Sequence, residues 1–388
     1  MINSGNSYDK YINAIIGGVI MSMASSLHLF LKGKITGISG TFFRAITLGD
    51  FAYNISFLSG MILMPSLLRA FTEESFYNRV FEEPLEYVTS LSIIGFIISG
   101  FLVGFGTKMA NGCTSGHGVC GLPRLSKRSI TAVLTFLVFG FLMATLRYYV
   151  TFLETDFILN EPEKVILSND AIKIICIVIF ALCILTFIIN VIYKIANQKT
   201  NEIKDISISF CVGILFSFGL VESGMIKRHL VLLFLSIGKD WDATLICVLG
   251  SAVGINLITF NLMLKKMDKP ILHEKFQLPD KTEVDKKLVI GAAIFGIGWG
   301  FCGICPGPGV LCFYMYLPQT IVFILMLACG QLVEYSLDDK IENLLNGKKK
   351  EKESNNDNNN NENNNIVEER IYTVRETELE NWIYEMDI

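Results

Sequence analysis

The sequence predicts an all-α integral membrane protein of about nine transmembrane helices plus short re-entrant helices, arranged as two inverted repeats. Three observations predict it. Of 388 residues, 51% are apolar and 18% charged, and mean hydropathy is +0.47, the composition of a chain whose outer surface meets membrane lipid. The charge is uneven: Asp338–Ile388 hold 21 of the 70 charged residues, which leaves the preceding part with about 15%. Nine stretches approach the ~20 apolar residues that a spanning helix needs. A water-soluble enzyme is excluded. So is a nucleic-acid binder, because the basic residues are scattered between apolar runs and not grouped with aromatics.

In order, residues 1–10 form an N-terminal extension, and the spans are expected at 11–31, 51–69, 88–107, 129–150, 171–194, 206–221, 243–264, 287–304 and 318–336. The first lacks a basic leader and a small-residue cleavage site and runs into Lys32-Gly33-Lys34, so it reads as a retained span and not as a signal peptide. Four intervening segments are too short or too glycine-rich to cross: Thr36–Leu48, Asn111–Pro123, Glu222–Ile237 and Gly303–Leu317. These are expected to be re-entrant or interfacial.

Residues 11–150 and 206–336 share one plan, a first membrane repeat and a second, with the span 171–194 connecting them. Each repeat has a span, a Gly-containing segment, two spans, a Gly/Cys segment and a last span. An offset of five spans is odd, so the second repeat is expected to be inverted and its Cys segment to enter from the opposite face. Nine spans place the termini on opposite sides. Nine of the 33 Lys and Arg then fall on the N-terminal face and 24 on the other, so the N-terminus is expected outside and the C-terminus in the cytoplasm, most simply of a plasma (inner) membrane. Residues 337–388 read as an acidic, Asn-rich cytoplasmic tail, disordered from Ser354 through the Asn run.

Two stretches carry the chemistry. The first is Gly104-Phe-Gly-Thr-Lys-Met-Ala-Asn-Gly-Cys113-Thr-Ser-Gly-His-Gly118-Val-Cys120, continuing to Ser129, and the second is Gly298-Trp-Gly-Phe-Cys-Gly-Ile-Cys305-Pro-Gly-Pro308. With Gly33-Lys-Ile-Thr-Gly-Ile-Ser-Gly40 and Leu220-Val-Glu-Ser-Gly-Met225, they make residues 11–336 closely similar to the YeeE/YedE (sulphur transport) family. The resemblance implies an hourglass-like protein that imports thiosulfate past cysteine thiols at a narrow waist, a role that Cys113 and Cys305 inherit. It also implies a pathway cysteine near the first span, and no cysteine precedes Cys113 here. Any cytoplasmic sulfur-accepting partner is unidentified.

The residue chemistry agrees with this. Irregular backbone at membrane depth has to line a polar cavity or lie within protein. A half-helix presents free N–H groups and a positive dipole end to a small anion. A neutral thiol is a weak donor with a soft sulfur, suited to holding and releasing thiosulfate, although helix N-termini also favour thiolates, so hydrogen-bonded and covalent relays both stay open. The expected substrate pathway comprises Cys113, Cys305, His117, Ser115, Gly112, Gly116, Lys34 and Lys108, with Cys120 and Cys302 secondary. His117 is expected either to donate to the anion or to cap a half-helix. Cys302 and Cys305 form a Cys-x-x-Cys that a membrane thiol-redox protein would use, and another sulfur or selenium anion is an alternative cargo. No metal site is expected, since there is no second Cys-x-x-Cys and no pair of His ligands. No cofactor and no ATP hydrolysis are expected either, because the phosphate-loop pattern is missing.

Overall fold

The computed structural model describes residues 7–71, 81, 91–150, 169–197, 200–238, 240–279, 281–311 and 318–356. It divides into a large unit, Met1–Gln331, and a smaller one, Leu332–Ile388. Among the described residues every regular element is helical: α1 (Ser7–Lys32), α2 (Ile38–Ile46), α3 (Phe51–Phe71), α4 (Ile93–Met109), α5 (Thr114–Gly121, a π-helix), α6 (Lys127–Tyr149), α7 (Asn169–Ala196), α8 (Thr200–Glu222), α9 (Arg228–Leu235), α10 (Thr244–Lys266), α11 (Lys286–Cys302), α12 (Pro306–Leu311) and α13 (Gln319–Asn356). Helix is the form in which an apolar segment satisfies its own N–H and C=O groups without water. Each of the nine apolar stretches is a long helix, and the four short elements α2, α5, α9 and α12 fall in the four segments judged unable to cross.

Among the described residues seven helices are long and apolar enough to cross a membrane, or eight if α4 and α5, bent by 46° at their junction, make one span, against the nine expected. The shortfall lies in α4 and α11. Each has 17 residues, about 25 Å at ~1.5 Å per residue against a ~30 Å hydrocarbon core. Both stop early because the chain turns just ahead of a Cys segment. The last helix, by contrast, continues beyond residue 336 to Asn356, because Leu344, Leu345, Lys348–Lys350 and Glu351 are strong helix formers. That part belongs to the smaller unit and includes the first residues of the Asn-rich stretch. The remainder of that stretch, residues 366–388 and the loop 156–164 lie outside the described residues.

In the large unit α1 packs on α8 and α10, α3 on α8 and α7, and α11 on α4 and α6. Residues 323–330 of α13 lie against α4. Lipid tails are as apolar as the helix surfaces, so close approach of backbones is what holds such helices together. At Gly60 of α3 a Cβ would lie 2.2 Å from the Phe210 carbonyl oxygen, and at Gly213 of α8 one would lie 2.2 Å from that of Phe57. Buried hydrogen bonds stitch the same seams. Asn256 of α10 accepts from Ser26 Oγ (3.0 Å) and donates to Ser25 Oγ and the Val119 carbonyl, both at 2.9 Å. Ser217 of α8 donates to the Met61 carbonyl at 2.7 Å.

Polar contacts gather at the two ends of the helices. At one end Lys10 pairs with Asp242 (2.5 Å), and Arg147 and Arg228 donate to the carbonyls of Phe301 (2.6 Å) and Cys302 (3.0 Å). At the other, Lys32 pairs with Asp205 (3.3 Å) and Arg128 with Asp285 (3.0 Å). There the 267–279 loop folds onto α1. The N–H groups of Ile271, Leu272 and Gln277 donate to the carbonyls of Phe30, Leu31 and Gly33 at 3.2, 3.0 and 2.8 Å, which satisfies acceptors that the end of a helix leaves open.

Candidate functional site: a sulfur-lined cavity

Cys113 and Cys305 occupy matching places. After α4 the chain turns through Asn111 in the left-handed region (φ 59°), and Cys113, two residues on, is the N-cap of α5. After α11 it turns through Gly303 (φ 75°), and Cys305, again two residues on, directly precedes α12 at Pro306. A left-handed residue ends a helix by letting the next N–H groups reach back to its last carbonyls, a place that Gly fills best and Asn next. Pro306 loses nothing as the first helical residue, where its N–H would have no partner.

The two cysteines, 1% and 2% exposed, line a single small cavity together with Ser115, Ile38, Met21 and Met225. It offers room for the centre of a water molecule over about 20 Å³, enough for a water or two. Ser115 joins three parts of the wall. Its Oγ accepts from the Ile38 N–H at the start of α2 (3.1 Å) and lies 3.2 Å from Cys113 Sγ. With the Ile38 N–H donating to it, the hydroxyl can give its own proton to sulfur or take one from the thiol.

The other expected residues lie around this cavity and not on it. His117 Nε2 is 3.2 Å from the Ala110 carbonyl, so it carries the proton, and Nδ1 of the neutral ring accepts from Ser129 Oγ at 3.1 Å. Both nitrogens are thereby used to tie the end of α4 to α6, which is the capping arrangement and leaves neither for an anion. Gly112 makes room for that ring, because a Cβ there would be 2.7 Å from Nε2. Gly116 faces Gly37, each Cα 3.9 Å from a Cβ built on the other. Cys120 Sγ donates to the Thr36 carbonyl at 3.4 Å, and Cys302 Sγ accepts from the Ile304 N–H at 3.3 Å. All nine cysteines described are free thiols. Lys34 and Lys108 place their ammonium groups 4.4 Å from the Tyr53 ring centroid and 4.1 Å from that of Phe43. Among the described residues no three His, Cys, Asp or Glu side chains gather as a metal site.

Met21 and Met225 were not foreseen. Met21 is one apolar residue in an apolar run, and Met225 closes the Leu220–Met225 stretch that carries the family resemblance, but neither stretch marks a methionine that turns inward. Met21 lies in α1, where the family resemblance implied a cysteine, and it puts a thioether sulfur on the wall in place of a thiol.

An all-helical integral membrane protein with a small buried-cysteine cavity that two methionines also border is the class that these features define. The chain belongs to the sulphur transport family, which residues 8–143 match; residues 204–346 match a family of unknown function. Its relatives include two proteins of Xylella fastidiosa strain Temecula1, each named a probable transporter. One is 37% identical over 128 residues, 33% of this chain and 86% of the relative, and the other is 37% identical over 136 residues, 35% of this chain and 94% of the relative. A probable transporter of strain 9a5c is 35% identical over 136 residues, again 94% of its length. Each of these relatives is thus little more than a third as long as this chain, about the length of residues 11–150.

Proposed function

We propose that the protein imports thiosulfate, or a closely related small sulfur anion, across the plasma membrane through the cavity between Cys113 and Cys305, with its N-terminus outside and its tail in the cytoplasm. The observation that carries this reading is the cavity wall: two cysteines 192 positions apart, each two residues beyond a left-handed helix end, border one space. Membership of the sulphur transport family and the printed names of the relatives support transport. Ser115 orients Cys113, while Gly112, Gly116 and His117 shape the wall from behind. Lys34 and Lys108 draw anions toward it.

Two inverted repeats, 11–150 and 206–336, with a connecting span at 171–194, are part of the same proposal. In support, α1 pairs with α10 as α8 does with α3, and α11 with α6 as α4 does with α13. The self-matched pairs are α1 with α8 and α4 with α11. Relatives of one-repeat size fit a duplicated architecture. The thiol-redox alternative loses ground, since the Cys302 thiol turns to Ile304 and only Cys305 of that pair borders the cavity.

The test is uptake of labelled thiosulfate by cells with no other route for it. Wild type restores uptake, and Cys113→Ala or Cys305→Ala abolishes or greatly reduces it at equal membrane abundance, with Cys176→Ala and Cys329→Ala near wild type. Normal uptake by the double Cys113→Ala/Cys305→Ala protein would refute the thiol pathway.

A further inference from the structure

At the end of the large unit where the 267–279 loop docks, two lysine ammonium groups share one aromatic ring, and the Arg44 guanidinium acts electrostatically on Lys34. Lys32 Nζ is 3.8 Å and Lys34 Nζ 4.4 Å from the Tyr53 centroid, so the two nitrogens are within about 8 Å of each other. The ring is pinned, for Tyr53 OH lies 2.5 Å from His28 Nε2, and His28 Nδ1 lies 3.0 Å from Thr36 Oγ1. Lys32 is 1% exposed and pairs with Asp205, whose carboxylate also lies 3.1 Å from His273 Nε2. Lys34 is half-buried, Arg44 is exposed, and among the described residues neither forms an ion pair or a side-chain hydrogen bond. Burial holds the Lys34 ammonium below the ordinary lysine range, with Arg44 pressing the same way and Asp50 and Asp205 opposing. Three cations face one directly bonded carboxylate and, less directly, Asp50, which leaves a net positive charge that a small anion beside Lys34 relieves. None of these cations offers a soft atom.

We infer that Lys34 and Lys32, set around Tyr53, together with the nearby Arg44, form a second anion site that takes small dianions by charge alone and does not distinguish sulfate from thiosulfate. Its role rests on the transport reading, in which it receives the ion on the cytoplasmic side of the cysteine cavity; its affinity for anions does not. Lys34 is only four positions before Ile38 on the cavity wall, at most about 14 Å of chain. Discrimination would then belong to the sulfur-lined cavity, and cytoplasmic sulfate would compete at the exit without being carried.

The experiment is calorimetric titration of the full chain in phosphatidylcholine nanodiscs with sodium sulfate and sodium thiosulfate at constant ionic strength. The Cys113→Ala/Cys305→Ala protein should bind both with affinities within about threefold of each other, Lys34→Gln should weaken both about tenfold or more, and Lys34→Arg should restore them. Lys10→Gln, at the opposite end, should change neither. Unchanged sulfate binding in both Lys34→Gln and Arg44→Gln would overturn the site, as would a clear preference for thiosulfate in the double-Ala protein. Loss of sulfate binding in phosphatidylglycerol nanodiscs alone would assign the cations to lipid headgroups and also overturn it. If wild type carries no thiosulfate yet Lys34-dependent binding persists, the transport reading fails and the site stands.

Discussion

The Cys113 and Cys305 segments reach the same cavity with different local chemistry. Before Cys113 the left-handed turn is made by Asn111, the following helix is π-helical, and His117 braces it from behind. Before Cys305 the turn is made by Gly303, the following helix is a single turn opened by Pro306, and Arg228 braces the end of α11 through the Cys302 carbonyl. The two share a position: two residues past a helix end, with the sulfur on the cavity wall. What is held in common is therefore the placement of a thiol, while the means of placing it has drifted. That is the pattern expected if each sulfur meets the same cargo.

The largest effect should come from changing the sulfur while keeping a donor. Cys305→Ser and Cys113→Ser keep a hydroxyl of similar size, so in a hydrogen-bonded relay each should retain clearly more thiosulfate uptake than its Ala counterpart. In a covalent relay Ser and Ala should be equally inactive, since a hydroxyl forms no persulfide. Initial uptake rates at matched membrane abundance decide it. A Ser/Ala gap at one site only would split the comparison and assign the two cysteines different roles.

Next in size are the turns. At Gly303 a Cβ would lie 2.8 Å from Leu232 Cγ and 2.9 Å from the Arg228 carbonyl oxygen, at a φ of 75° that L-residues disfavour. Gly303→Ala should therefore destabilise the protein by about 2 kcal/mol or more, the left-handed penalty of ~1–2 kcal/mol being compounded by the clash. Asn111→Gly keeps the left-handed geometry and should shift thermal stability little. If both changes were equally harmful, Asn111 would have a duty beyond its φ. His117→Ala should come third: losing the bridge between Ala110 and Ser129 leaves buried groups unpaired at a cost of about 1–3 kcal/mol. Uptake per folded molecule should fall less than in either Cys variant, because the ring does not border the cavity.

Much of this architecture could be read before any coordinates. Apolar runs are long and unambiguous in a membrane chain, so all nine long helices appear where expected; apart from the last, which runs on from 336 to Asn356, their ends are displaced by up to six residues, as at Thr200 against 206. Shortness or glycine content likewise marked the four short segments. Side-chain direction was not readable. Histidine beside cysteine suggests an anion donor equally well whether it faces the cavity or its back, and only the positions of Ala110 and Ser129 decide. Asn111 drew no notice because turns were sought through glycine. The docking of 267–279 onto α1 depends on backbone N–H groups that every residue but proline carries, so its basic side chains advertised orientation and concealed contact.

The smallest effect joins the two regions through one ion pair. Asp285 accepts from the Leu288 N–H at 2.7 Å as the N-cap of α11, the helix that leads to Cys305, and from Arg128 at 3.0 Å in the first turn of α6, the helix that follows the Cys113 segment. Burial pushes the Asp285 carboxyl up, but the Leu288 N–H and the Arg128 guanidinium outweigh it and hold it below the ordinary Asp range. A depressed folded value means that this stabilisation is complete above the unfolded pKa and is lost as pH falls through the folded one. The Asp285 side chain is 42% exposed, so solvent screening limits the pair itself to less than about 1 kcal/mol. Asp285→Asn keeps a cap oxygen and removes the charge. It should lower thermal stability by a degree or two at neutral pH, on the order of 0.5 kcal/mol, with the difference from wild type shrinking as pH falls below the unfolded Asp value and vanishing below the depressed folded one. A variant equally destabilised at neutral and acid pH would show that the oxygen's geometry matters and its charge does not, which would remove the electrostatic link between the two cysteine-bearing regions.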